Sequence, residues 1–377
     1  MSEFRINIEG NFLDSFIYSG VLITIDVDGK LCTHSWRNLI NEYMKKDKKK
    51  RKFSSKLIDD RPWPNKTMKF DEDVVIELDQ NFLNKHRQGT CFDLDVWTTD
   101  LDIKDNILYI SSERGLEALP FKNWDYGKVT DFNELYPIWK DSKVFGVSTG
   151  SWGRTLLAAG TNGALEVLNN VEQNNKIGLK QQDGKIINTD VCLNCEWEVN
   201  STLAILDQLD TQTVLEYENL ISDYDFKSYE KDSEEEKEKK RKAVESTSLE
   251  DIFHLKEYIE KGIPENLENI SKYSWFDNKK LVGIDENNNY LFYDFDENRW
   301  VSKNNEIVDD CSYRKIRQTN AGLIIETEDD CLYRKTPHSK KMLSEDISSW
   351  RVFPRSKSYQ DRIHVVNEDY LQVSIFD

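Results

Sequence analysis

The chain has 377 residues, with 51 Lys+Arg against 69 Asp+Glu for a formal charge of −18. Phosphate-backbone affinity comes from clustered Lys and Arg that release counterions, so this balance excludes a general nucleic-acid binder. At 38% apolar and 11% aromatic, with ten Trp and sixteen Tyr, there is ample material for a large core, which excludes wholesale disorder. The opening residues, Met1 to Asn7, show no basic leader running into an apolar stretch. No window approaches the roughly 18 uninterrupted apolar residues of a membrane span. A soluble, intracellular protein is expected, cytoplasmic, or nuclear if the source is eukaryotic. The six cysteines (Cys32, Cys91, Cys192, Cys195, Cys311, Cys331) are too scattered for a disulfide framework. They read as free thiols in a reducing compartment.

In chain order, one pattern recurs: a short apolar strand, a turn of Asp, Glu, Asn or Gly, then an alternating strand. Val21 to Ile25 turns at Asp26-Val27-Asp28-Gly29 into Lys30-Leu31-Cys32. Ile107 to Ile110 turns through Glu113-Arg114-Gly115 into Leu116 to Leu119, and Leu156 to Ala159 turns at Thr161-Asn162-Gly163 into Ala164 to Leu168. Leu203 to Leu206 is followed by Asp207 and Asp210 and then Val214 to Tyr217; Leu281 to Ile284 is followed by Asp285-Glu286-Asn287-Asn288 and Tyr290 to Tyr293. Leu323 to Glu326 passes Glu328-Asp329-Asp330 into Cys331 to Tyr333, and Ile363 to Val366 passes Asn367-Glu368-Asp369 into Tyr370 to Val373. Asn, Asp and Gly supply the backbone dihedrals of tight hairpins, and alternation marks strands with one buried face.

The steps between successive copies are 86, 48, 47, 78, 42 and 40 residues. Four of them match the period of four-stranded propeller blades, about 40–50 residues. The remainder at the two termini is a closing blade, with Phe4-Arg5-Ile6-Asn7-Ile8 expected as the outer strand of the blade that Trp350 to Phe376 begins. Such closure pairs otherwise open edges. The expected fold is therefore all-β: one domain over residues 1–377, a seven-bladed β-propeller closed by its N-terminal strand.

In period and hairpin pattern the chain resembles β-propeller repeat proteins of the WD40 and kelch type, over essentially its whole length. The Trp-Asp dipeptide of WD40 repeats occurs once after a repeat strand, as Trp124-Asp125, and their Gly-His signature does not occur. What the resemblance implies is an architecture and a habit of partner binding, and no reaction. Trp152, Trp197, Trp275 and Trp350 precede the central strand in four repeats, where packing between blades is expected.

The two long steps hold insertions, at residues 37–70 and 221–270. In the first, Trp36, Leu39, Ile40, Tyr43 and Met44 mark one face of a helix. It runs into the basic cluster Lys45, Lys46, Lys48, Lys49, Lys50, Arg51 and Lys52. Residues 45–56 carry eight bases and one acid, which leaves −25 on the rest of the chain. The cluster reads as a localisation signal, a contact for nucleic acid or an acidic partner, or a solvated loop. In the second, Glu235/Lys239, Glu236/Lys240 and Glu238/Lys242 are favourable i, i+4 pairs for an exposed helix. A further amphipathic helix is expected from Ser248 through Ile252, Phe253, Leu255, Tyr258 and Ile259, stopping at Gly262.

For chemistry the residues offer little. Cys192-Leu193-Asn194-Cys195 lies in an expected strand, where residues three apart face opposite sides, and it has no second ligand pair. Cys32 and His34 share a face, but two ligands are not a site. No local motif for a nucleophile, a phosphate loop or a metal hydrolase occurs, and neither a cofactor nor a metal is expected. The suggestive set is the hairpin-turn acids: Asp26, Asp28, Glu113, Asp285, Glu286, Glu328, Asp329, Asp330, Glu368 and Asp369, with Asp207 and Asp210. If each turn joins the second and third strand of its blade, all fall on one face and steer a basic ligand there. The expected function is a non-catalytic interaction module or regulatory subunit that binds another protein, one with a basic surface, through this face and the insertions. The alternatives are an inhibitor or immunity-type protein that neutralises a basic effector, and a propeller hydrolase with carboxylates in its tunnel.

Overall fold

The structure is a computed structural model. It describes residues 2–46, 57–58, 73–123, 129–132, 134–150, 154–168, 184–209, 212–219, 233–236, 253–258, 270–277, 280–285, 289–297, 299–307, 313–356 and 358–376. The chain opens with β1 (Glu3–Glu9) and then builds its first blade from β2 (Phe12–Tyr18), β3 (Val21–Asp26) and β4 (Lys30–Ser35). Helix α1 (Trp36–Lys46), strand β5 (Val74–Leu78) and helix α2 (Gln80–Lys85) intervene before β6 (Arg87–Asp93) completes that blade.

Blade two is β7 (Thr98–Lys104), β8 (Ile107–Ser112) and β9 (Gly115–Asn123), with β10 (Val129–Phe132) and β11 (Tyr136–Trp139) both against β9. Blade three is β12 (Gly146–Thr149), β13 (Arg154–Ala158), β14 (Ala164–Leu168) and β15 (Lys185–Asn188). Blade four is β16 (Cys192–Trp197), β17 (Leu203–Gln208), β18 (Gln212–Asn219) and β19 (Phe253–Tyr258). Blade five is β20 (Ile270–Asp277), β21 (Lys280–Asp285), β22 (Asn289–Asp294) and β23 (Arg299–Ile307). Blade six is β24 (Tyr313–Thr319), β25 (Gly322–Thr327), β26 (Leu332–Thr336) and β27 (Ser339–Ser344). The last blade is β28 (Ser349–Val352), β29 (Arg362–Val366) and β30 (Tyr370–Phe376), followed by β1 and β5.

The fold is thus a seven-bladed β-propeller, and the seven apolar repeats of the sequence are its second strands. They are buried on both sides: every residue of β8, β13 and β29 is buried. Neighbouring blades share cores, as where Leu156, Ala158, Cys195, Trp197 and Leu206 join blades three and four. Trp197 and Trp275 are fully buried, which is the packing role expected of them; Trp152 and Trp124-Asp125 lie outside the described residues.

Closure follows the expected pairing, with Phe4 opposite Ile375 and Ile8 opposite Leu371 in antiparallel register. The structure adds a strand, because β5 lies parallel outside β1, pairing Phe4 with Val74 and Ile8 with Leu78. The Lys341 ammonium of β27 reaches Glu3 at 2.9 Å and Asp73 at 2.6 Å, tying blade six to the closing strands. The segment that follows the first insertion is therefore a latch. Its helix α1 is as expected: Trp36, Leu39, Ile40 and Met44 are buried, and the Trp36 indole donates to the Leu57 carbonyl at 2.5 Å.

Two expectations are corrected. Residues Phe253 to Tyr258 form the outer strand β19, paired with β18, and not an amphipathic helix. Phe253, Leu255 and Tyr258 suit a helix stripe and a strand in short runs, and the open edge of β18 decides for the strand. Of the charged run before it, residues 234–236 form a helical turn whose Ser233 hydroxyl and Glu236 carboxylate hydrogen-bond at 2.8 Å, and Lys237 to Lys242 lie outside the described residues.

Cys32 and Cys91 are not free thiols: they form a disulfide between β4 and β6, with Cα atoms 4.4 Å apart. The register that pairs Lys30 with Asp93 and Leu31 with Phe92 runs on to Cys32 opposite Cys91, and shifts before Thr33 pairs with Gln88. The scattered spacing hid this, because the insertion separates partners that neighbour each other in the sheet. The cysteine count consequently loses its force as an argument for a reducing compartment.

Candidate functional site

Each blade is an antiparallel meander, so its second-to-third-strand turn lies at the same end as the link to the next blade. Hydrogen bonds show the two together: Leu94 N to Gly29 O, Val144 N to Ser112 O, Leu209 N to Val191 O, Ile347 N to Asp330 O, and Gly10 N to Asp369 O, all 2.9–3.2 Å. The contact is close. At Gly163, where φ is +79°, a Cβ would sit 2.0 Å from the Asn188 carbonyl oxygen, so only glycine permits this turn to abut the end of β15.

The turn acids therefore gather on one face of the ring, although they differ in what they do there. Asp28, Glu113, Glu328, Asp329, Glu368 and Asp369 are exposed. Asp26 accepts from the amides of Asp28 and Lys30, and Asp285 from the amide and side chain of Asn289, so both staple their turns. Asp329 accepts from the Thr327 hydroxyl, and Asp330 pairs with Arg314. Asp207 bonds the side chains of Asn194 and Gln212; Glu286 and Asp210 lie outside the described residues. Of the basic cluster, Lys45 is exposed and Lys46 ends α1, while Lys48, Lys49, Lys50, Arg51 and Lys52 lie outside the described residues.

The same face carries apolar side chains that the sequence did not single out. Trp97, 65% exposed, stands on the link from blade one to blade two, Phe145 on the link from two to three, Leu193 at the start of β16, and Leu209 in the turn of blade four. Val27 is exposed beside Asp28. Exposed apolar side chains thus run from the link between blades one and two to blade four, and exposed acids occupy the turns of blades six, seven, one and two.

The second feature is the central channel, lined by the first strands. These strands are edges, and side chains of the neighbouring blade satisfy some of their amides. Asp100 Oδ2 accepts from Val147 N at 3.0 Å, Asp102 Oδ2 from Thr149 N at 2.7 Å, and Ser148 Oγ from Trp197 N at 3.0 Å. Carboxylates placed here require cations. Arg351 binds Asp14 at 2.7 Å, Asp100 at 2.9 Å and the Leu101 carbonyl at 2.7 Å; Arg355 binds Asp102 at 2.6 Å; and Arg317 pairs with Glu196 at 2.8 Å. Burial works against the Arg351 charge, yet Asp14 and Asp100 more than offset it and raise its pKa above the ordinary arginine value. Arg355 follows the same pattern, with Asp102 prevailing over burial.

A cavity of about 740 Å3 fills the channel on the side of the first-to-second-strand turns, with Asp102, Lys315, Arg317, Arg351, Phe353 and Arg355 among its lining residues. A smaller one, about 400 Å3, opens toward the acidic face between Asp14, Phe145, Arg314, Glu326 and Asp330. Asp100, Asn194, Lys315, Trp350 and Arg351 border both, forming a waist. No sequence motif marked this cluster, since its members come from different blades. The signal was a charge inside a short strand, as in Thr98-Thr99-Asp100-Leu101-Asp102-Ile103 and Lys315-Ile316-Arg317.

The remaining candidates are structural. Cys192 and Cys195 sit in one core cluster, not on opposite faces, because the strand bulges between Cys192 and Asn194. Burial first, and then Asp207, pushes the Cys192 thiol up to about 12. His34 is buried, its ring nitrogens 3.1 Å from Thr24 Oγ1 and 3.3 Å from the Leu83 carbonyl. Among the described residues no three His, Cys, Asp or Glu side chains gather as a metal site, and no helix is long and apolar enough to cross a membrane. No protein-family model matches the chain, and no curated protein matches it in sequence.

Proposed function

We propose that this propeller is a non-catalytic protein-binding module, a scaffold or regulatory subunit. It docks a partner with a basic surface and an apolar anchor on the face of the second-to-third-strand turns. The observation that carries this reading is the coincidence on that face of exposed acids (Asp28, Glu113, Glu328, Glu368) with an arc of exposed apolar side chains around Trp97. Scattered apolar residues need no explanation, but several on one face beside exposed acids, with Phe145 and Leu193 lining one cavity, suit an interaction surface, with Trp among the preferred anchors. The acids supply steering and the arc supplies buried area.

The channel carboxylates favour the same reading over hydrolysis. Asp100 and Asp102 are each committed to backbone amides and a guanidinium, which leaves neither poised as a general acid or base.

Isolation of the protein from its source with its native partners tests the proposal. A stoichiometric protein companion is expected, released by salt and lost from both the E328K/E368K and the W97S variants. Retention of the companion by both variants refutes the docking face. Turnover of a small substrate by the isolated chain, abolished by D100N or D102N, refutes the non-catalytic reading.

A further inference from the structure

At the waist of the channel, Lys315 is a cation that the described residues leave without a hydrogen-bonding partner. Its ammonium lies 5.0 Å from the centre of the Trp350 ring, and among the described residues no acceptor hydrogen-bonds it. The two nearby carboxylates are already engaged. Asp100 serves the Arg351 guanidinium and the amides of Leu101 and Val147. Glu326 serves Arg314 and accepts from the Trp350 indole at 2.6 Å. Beside Lys315, the Nε of Arg351 is also buried without a hydrogen-bond partner. Burial, with Arg317 adding to it, holds the Lys315 ammonium below the usual lysine range. Lys315 is half-buried on the cavity wall, and an oxyanion in the cavity supplies the acceptor that the protein does not.

The space for one is present. The cavity of about 740 Å3 falls within the range of small-molecule sites, roughly 300–1,000 Å3, and such sites combine apolar walls with a few converging polar groups. Here the walls are the rings of Phe16, Trp350, Phe353 and Tyr359, and the charged groups are five cations and four carboxylates, of which Asp100, Asp102 and Glu196 are paired with Arg351, Arg355 and Arg317.

From this we infer that the channel cavity binds a small molecule bearing a carboxylate or phosphate on an apolar or aromatic body, with the oxyanion on Lys315 beside Arg351 and the body against the aromatic wall. The larger cavity opens away from the acidic turns, with Lys315 and Arg351 at the waist between it and the smaller cavity of the acidic face.

Titration calorimetry of the full chain with phenyl phosphate and with benzoate tests the inference. Binding of one probe or both at one site is expected, and which of them binds identifies the headgroup. K315M should weaken it about tenfold or more, the loss for one charge-assisted contact, and K315R should restore it. Binding by neither probe, or equal binding to wild type and a folded K315M, overturns the proposal. If K315M fails to fold, wild-type protein decides by lysine acetylation read by mass spectrometry. Protection of Lys315 relative to Lys143 by the bound probe supports the site, and equal labelling with and without probe overturns it.

Discussion

Acid should destabilise this protein well above the pH at which its carboxylates titrate, through two buried histidines. His34 and His364 are each 1% exposed, and burial holds their folded pKa values at about 4 and about 3, against 6.5 for an ordinary histidine. His34 sits near Arg87 and His86, and His364 near Arg362 and Arg351, all of which oppose a second positive charge. The unfolded chain therefore takes up protons near pH 6.5 where the folded chain does not, so stability falls as pH drops below 6.5. The loss continues until the folded pKa values are reached. Between pH 7.5 and pH 5 each histidine contributes a loss of about 2 kcal/mol by linkage, roughly 4 kcal/mol together. Glu3, Asp73 and Asp329, whose folded values are lowered, lose their contribution only at more acid pH. Urea unfolding followed by Trp fluorescence at pH 7.5, 6.5, 5.5 and 5.0 measures the loss. The H34Q/H364N variant should start lower at pH 7.5 yet lose about 4 kcal/mol less on acidification. Equal pH dependence in wild type and variant would refute the reasoning, because relief of the chain's net negative charge is common to both.

R351M strands Asp14 and Asp100 in the channel and should cost about 3 kcal/mol in urea unfolding, recovered in part by adding D14N and D100N; an unchanged midpoint would show that the clamp contributes nothing. The Cys32–Cys91 bond spans 59 positions, so reduction or C32S should lower stability by about 4 kcal/mol on the loop-entropy estimate. Alkylation of both cysteines in unreduced, denatured protein would refute the bond.

The blades were legible from their second strands because those strands are buried on both faces and end in turns of local chemistry. Leu281 to Ile284 and Ile363 to Val366 read as apolar runs for that reason, and Asp, Asn and Gly follow them because hairpins need those residues. Outer strands were harder. β6 reads as Arg-Gln-Gly-Thr-Cys-Phe-Asp and is largely solvated, so alternation carries little signal, and the apolar spacing of β19 suits a helix as well as a strand. The turn acids were found because a turn is a local event. The channel cluster was not, because Asp14, Asp100, Lys315 and Arg351 belong to blades one, two, six and seven and meet only when the ring closes.

The two charge patterns have one origin in the fold. A meander of short strands needs hairpin turns, and the residues that make such turns at little steric cost include Asp and Asn, so acidity accumulates on the face where second strands end. The inner edge needs acceptors for its amides, and Asp100 and Asp102 supply them from the adjacent blade. Those carboxylates lie out of bulk water, so each requires a cation, which accounts for Arg351 and Arg355. Arg317 is likewise matched by Glu196. By this reasoning most of the charge in the channel is the consequence of closing an open edge, and needs no ligand to explain it. Lys315 is different: it caps no carboxylate left open by the edge, and its ammonium rests on an indole that Glu326 already holds. Construction of the ring does not require that charge, so Lys315, and not the arginines, is the group left to a ligand.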